Sequence, residues 1–172
     1  MFNRREVLAA GAAAGAGLMT GCLSHSSRWE YLRESEARTL SVLCDQLIPA
    51  DDWPSASQAG VLTFIDRQLM GPYRRHRRAY RRGLDEAEKL AASRCGVELA
   101  RASQAQQLEV AGALERQSPE FFDLVRRHTM QGYYGSPRHG GNKDAVSWRM
   151  LGLAEPPLRG RAQYDLAAGA KP

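Results

Sequence analysis

Gly71-Pro72-Tyr73-Arg74-Arg75-His76-Arg77-Arg78-Ala79-Tyr80-Arg81-Arg82-Gly83-Leu84-Asp85-Glu86-Ala87-Glu88-Lys89-Leu90-Ala91 is the stretch that decides the fold. At the helical turn of 100° per residue, Tyr73, Tyr80, Leu84, Ala87 and Ala91 fall within about 40° of one line. Arg74, Arg75, Arg78, Arg81 and Arg82 fall on the opposite side, with Arg77 at the border. An apolar stripe backed by a basic ridge describes a helix lying on a core. The ridge itself has two readings: a solvated face that needs no partner, or a docking face for an acidic surface.

The segments on either side repeat the pattern. Ser35 is placed to cap a helix whose Leu40, Leu43, Cys44 and Leu47 follow i, i+3, i+4, i+7, and Pro49 ends it. After the polar turn Asp51-Asp52-Trp53-Pro54-Ser55, Val61, Leu62, Ile65 and Leu69 line a second helix, which Gly71-Pro72 interrupts. Ser103 opens a fourth through Leu108, Ala111 and Leu114. Ser118-Pro119-Glu120 starts a fifth carrying Phe121, Phe122, Val125 and Thr129, with Gly132 as its stop. No stretch alternates with period two between turn signals, and no internal repeat is visible. The expectation is an all-α, compact bundle of about five to six helices, with residues 35–172 as a single domain.

Residues 1–22 read as an address instead of structure. Asn3-Arg4-Arg5-Glu6-Val7-Leu8 precedes a weakly apolar Ala/Gly run from Ala9 to Met19, the layout of a twin-arginine signal with Arg4 and Arg5 as its specific part. A helix of that length rises only ~20 Å, short of the ~30 Å hydrocarbon core. Met19-Thr20-Gly21-Cys22 resembles a lipobox with Met in the usual place of Leu, which makes Cys22 the lipidation candidate and a membrane surface reachable by an acyl anchor. Residues 23–34 then form a linker. The chain is expected in the periplasm, exported in a folded state and membrane-associated. Its net charge of +5 suits an acidic protein or anionic lipid, and export argues against nucleic acid.

The C-terminal part is the least ordinary. Gly132-Tyr133-Tyr134-Gly135-Ser136-Pro137-Arg138-His139-Gly140-Gly141-Asn142 leads into Ala145-Val146-Ser147-Trp148. Its glycines and proline exclude a regular helix through Gly141, leaving a glycine/aromatic loop and a short terminal helix that Asn142 can cap. No P-loop or dinucleotide fingerprint is present.

With these residues in view, the chain resembles the gluconate 2-dehydrogenase subunit 3 family over nearly all of its mature length. The resemblance rests on Leu47-Ile48-Pro49-Ala50-Asp51 with Gly60-Val61, on Phe64-Ile65-Asp66 to Gly71-Pro72-Tyr73, and on Gly132 through Asn142 to Trp148. It implies a non-catalytic small subunit that assists folding and export of a catalytic partner through the twin-arginine translocase. The implied partners are an FAD-dependent dehydrogenase subunit of the glucose-methanol-choline type and a multihaem cytochrome c subunit, which hold the FAD and c-type haem. No cofactor is expected in this chain. A free-standing periplasmic lipoprotein, binding another protein or anionic lipid through its Arg-rich helix, is the second reading.

No catalytic constellation stands out. His25, His76, His128 and His139 are scattered, and none has metal-ligand spacing to another. Asp51 with Asp52, and Glu86 with Glu88, are the neighbouring pairs that turns and exposed helices commonly carry. Tyr133, Tyr134 and Trp148 are candidates for a partner interface or for internal packing beneath the glycine loop, and Arg74, Arg78 and Arg81 are the matching basic candidates. Cys44 and Cys95 can form a disulfide, bond to a partner or remain thiols.

Overall fold

The structure, a computed structural model, describes residues 28–153. Arg4, Arg5 and Cys22 lie outside the described residues. Among those described, six α-helices follow in order: α1 (Glu34–Leu47), α2 (Val61–Met70), α3 (Arg77–Cys95), α4 (Gln104–Gln117), α5 (Pro119–Tyr134) and α6 (Val146–Met150). Short 3-10 turns at Arg74–His76, Leu99–Arg101, Pro137–His139 and Lys143–Ala145 connect them. No described residue is in a strand, so the protein is the all-α bundle its periodicity predicts. None of these helices is long and apolar enough to cross a membrane.

The first five helices are held by one shared core. Leu40, Leu43 and Cys44 of α1, Ile65 and Leu69 of α2, Leu84 of α3, Leu114 of α4 and Val125 of α5 are buried and belong to the same cluster. Helices of this length are marginal alone, so burial at ~1.5–3 kcal/mol per large side chain is what keeps them formed. The termini are closed locally. Ser103 and Gln106 bond reciprocally to each other's backbone at the start of α4, Pro119 occupies the first turn of α5, and left-handed Gly96 terminates α3.

Three sequence expectations shift. α1 begins one turn's fraction earlier than Ser35: Glu34 is its first residue, and the Glu36 carboxylate reaches back to accept from the Arg33 amide. Leu108 is 62% exposed, because Gln107, donating its amide to the carbonyls of Leu99 and Ala102, takes the inward line with Val110 and Leu114. Gly132 does not stop α5, which runs on to Tyr134. A Cβ on Gly132 would sit 2.9 Å from the Phe64 ring, so this glycine lets α2 approach α5 closely.

The end of the expected linker is also bound to the body. The buried Asp66 carboxylate accepts from the backbone amides of Glu30, Tyr31 and Leu32 at 2.7, 2.9 and 2.8 Å. The chain therefore enters α1 from a fixed position over α2.

Candidate functional site

The basic ridge divides into two sets. Arg77 turns inward: its Nε donates to the Leu69 carbonyl at 2.7 Å and its guanidinium lies 5.0 Å from the centre of the Tyr31 ring. Arg81, placed outward by helical geometry alone, also turns in. It pairs with the Glu36 carboxylate, donates to the Tyr31 carbonyl at 2.8 Å and covers the same ring at 4.4 Å. The anionic start of α1 and the clamped segment ahead of it supply the acceptors that draw it over. Arg74, Arg75, Arg78 and Arg82 stay exposed and form no ion pair with any described residue. Residues 71–84 hold six arginines and no carboxylate in a chain of net charge +5, so the rest of the chain is close to neutral.

Two histidines that look scattered in sequence meet beneath this ridge. His76 and His128 have ring centres 5.4 Å apart. Tyr73 stacks on His128 at 4.0 Å, and the hydroxyl of buried Tyr80 meets His128 Nδ1 at 3.0 Å. Burial pushes His128 down to about 4, with His76, Arg127 and Arg75 adding to the effect. His76 is lowered for the same reasons, burial first and Arg75 and Arg127 after it. Burial raises the Tyr80 hydroxyl well above its usual range. At neutral pH the whole stack is uncharged. It is a hydrogen-bonded brace between α3 and α5, and no group of three or more metal-binding side chains is assembled among the described residues.

The glycine/aromatic segment folds back on the bundle. Asn142, fully buried, donates its amide to the Gly135 carbonyl at 2.8 Å and accepts from the Ser147 amide at 2.9 Å, so it caps α6 from a distance. The Lys143 amide donates to the Ala59 carbonyl at 2.9 Å. At the contact, Gly60 has φ +81° and a Cβ there would lie 2.7 Å from the Gly140 carbonyl oxygen. Tyr133 takes the internal reading: it is 1% exposed and donates its hydroxyl to the Pro54 carbonyl at 2.8 Å. Tyr134 and Trp148 are half-buried, joined by a 3.0 Å bond from the indole Nε1 to the Tyr134 carbonyl.

Cys44 and Cys95 are both free thiols. Cys44 is buried against Thr129, Sγ to Oγ1 3.2 Å, beside Tyr80 near the start of α3. Cys95 ends α3 fifteen residues after Tyr80, roughly 22 Å along the axis, whereas a disulfide needs Cα atoms within ~7 Å. The two thiols are unpaired in this structure. Burial pushes the Cys44 thiol up to about 12, which leaves it unreactive.

Residues 34–154 match the family described as gluconate 2-dehydrogenase subunit 3. The chain belongs to that family. Comparison with curated proteins and with solved structures gives no match. The matched span begins at the first residue of α1 and ends just past α6, so the whole bundle and its returning loop make up the subunit 3 region.

Within this subunit 3, Glu86 and Glu88, one of the two neighbouring pairs, act as staples. Glu86 accepts from the Ser118 hydroxyl at 2.6 Å, and Glu88 accepts from Thr39 and from the Leu99 amide. Sequence reading missed the Asp66 clamp and the His76–His128 pair. Both carry a signal. Asp66 follows Leu62 by four residues and precedes Leu69 by three, on the apolar face of α2, and His128 stands between Leu124, Val125 and Thr129 on that of α5.

Proposed function

We propose that this subunit 3 is a non-catalytic accessory subunit of a periplasmic, membrane-bound, FAD-dependent dehydrogenase acting on gluconate or a related sugar or sugar acid. The observation that carries the reading is the family match across the whole described bundle. In this reading the flavin belongs to a large glucose-methanol-choline-type subunit and the haem to a multihaem cytochrome c. This chain assists folding of the flavin subunit, escorts it through the twin-arginine translocase by means of Arg4 and Arg5, and then stabilises it. A lipid on Cys22 supplies a membrane tether of about 0.8 kcal/mol per buried methylene. Tyr134, Trp148, Arg74 and Arg78 are surface groups open to the partner, whereas Tyr133 and Arg81 serve by holding the platform rigid.

The test is the double substitution Arg4→Lys with Arg5→Lys, which keeps charge and removes the paired guanidinium groups. The expected result is that both this protein and the dehydrogenase activity remain in the cytoplasm. Normal periplasmic activity in the double mutant refutes the escort role. Recovery of this chain from native membranes with no oxidoreductase bound favours the free-standing lipoprotein instead.

A further inference from the structure

A groove of about 570 Å³ runs between α3 and α5. The two helices are antiparallel along it, since His76 lies near His128 at one end and Glu86 bonds Ser118 at the other. From His76 to Glu86 the α3 wall rises roughly 15 Å, the length of about five extended residues. The wall residues are graded by charge. His76 and Arg127 stand at one end, Arg82 overlooks the middle, and Glu86 and Glu120 close the other. Between them the lining is Ala79, Gly83, Phe121 and Leu124, and apart from Arg82 α3 contributes only Ala79 and Gly83 to this stretch. Gly83 is required there, because its Cβ would fall 2.2 Å from the Phe121 ring.

The surroundings deepen the positive end. Arg75 precedes His76, Arg74 and Arg78 are exposed on the same helical stretch, and Arg126 and Arg127 share the single carboxylate of Asp123. Met130, 45% exposed, follows Arg126 by one helical turn. Guanidinium groups, which are weakly hydrated and fork-shaped, bordering small apolar surface and exposed methionine match the composition of protein interfaces more than that of solvated faces. A lipid surface is flat, and it is poorly suited to a concave site with two carboxylates at one end.

We propose that this groove holds a short extended segment of the dehydrogenase subunit, with Asp or Glu beside Arg82 and Arg127 and a small apolar side chain over Ala79 and Leu124. The inference rests on the accessory-subunit reading and names the segment chemistry that the subunit recognises. Carboxylates meet the guanidinium forks in bidentate pairs, and the glutamate end sets the direction of the segment by excluding acidic residues from it.

The test uses the complex in native cells, with the photoreactive residue p-benzoylphenylalanine at Glu120 on the groove rim, and at Leu108 on α4 as a control. The expected result is that Glu120→benzoylphenylalanine links to one dehydrogenase peptide containing Asp or Glu next to an apolar residue, while the Leu108 position does not. Arg82→Glu with Arg127→Glu, both surface changes, is expected to remove that link and raise the Kd for the purified dehydrogenase subunit at least tenfold, with an unchanged circular dichroism spectrum. A link from Glu120 to a peptide without carboxylates, to lipid or to a second copy of this chain overturns the proposal. So does dehydrogenase binding that survives the double reversal, which leaves the accessory role standing. Absence of any dehydrogenase from the complex overturns both.

Discussion

Replacing Asp66 by Asn tests the anchoring of the N-terminal segment with almost no change of shape. In the native protein one carboxylate oxygen accepts from Tyr31 and Leu32 and the other from Glu30. Asn keeps one oxygen, so at best it retains the first two bonds and turns an NH2 group toward the Glu30 amide. A hydrogen bond to a charged group contributes ~1.5–3 kcal/mol net, and the remaining bonds lose their charge assistance, so Asp66→Asn is expected to destabilise by about 2–4 kcal/mol. Asp66→Ala removes all three and should cost more. In urea with an m-value of ~2 kcal/mol/M, the Asn variant lowers the midpoint by about 1–2 M. Because the anchored segment also positions Tyr31 under Arg77 and Arg81, cleavage by trypsin at Arg28 and Arg33 should become faster under native conditions. A midpoint shift equivalent to less than about 0.5 kcal/mol, with native cleavage rates unchanged, refutes the clamp.

His128 should make stability depend on acid. Its folded value of about 4 lies below the unfolded 6.5, so the unfolded chain takes the proton first. Stability is then level above pH ~6.5 and falls by roughly 3 kcal/mol as pH drops toward 4, and urea titrations of His128→Gln should lack that slope. Thiol labelling at pH 8 should modify half-buried Cys95 in the native state and Cys44 only on unfolding, and equal rates at both would contradict the buried, hydrogen-bonded thiol. Gly60→Ala combines a left-handed backbone with a 2.7 Å contact to the Gly140 carbonyl and should cost about 2–4 kcal/mol, whereas Gly96→Ala, at φ +70° with open space around it, should cost only ~1–2 kcal/mol in the same assay. The Ser147 hydroxyl is buried with no hydrogen-bond partner among the described residues, so Ser147→Ala should be neutral or slightly stabilising, while Asn142→Ala, losing two buried bonds, should cost ~2–4 kcal/mol in thermal melts.

Much of the bundle is legible in the sequence because its signals are local. The i, i+3, i+4, i+7 lines of α1 and α2, the Ser103 cap and the Ser118-Pro119 start each depend on residues within one or two turns, and each falls where expected or within a residue of it. The failures share a tertiary origin. Gly132 looks like a terminator until α2 is seen lying across it, and Leu108 looks like core until Gln107 is seen tying α4 to the preceding turn. The candidate site follows the same division. That Arg78 and Arg81 lie one turn apart is a property of the helix, but that Arg74 falls in a 3-10 turn ahead of it and that Arg81 turns inward to Glu36, forty-five residues away, are not. His76 and His128 are brought together only by the antiparallel packing of α3 on α5.

The fate of the arginines bears on what the face is for. Six guanidinium groups within nine residues repel one another, at ~1 kcal/mol per pair even at 4 Å in water, and a bundle needs no such concentration to fold. Two of the six, Arg77 and Arg81, are used as inward braces that donate to backbone carbonyls. The four left outside form no ion pair with a described carboxylate, and Arg75, with Arg127 across the groove, adds to the burial that holds two imidazoles below their ordinary range. Neutral side chains at Arg74, Arg75, Arg78 and Arg82 would leave the core stripe of Tyr80, Leu84, Ala87 and Ala91 intact and relieve the repulsion. A positive field kept at the expense of stability, beside a groove with an apolar floor, is the arrangement expected where an acidic partner supplies the missing counter-charge.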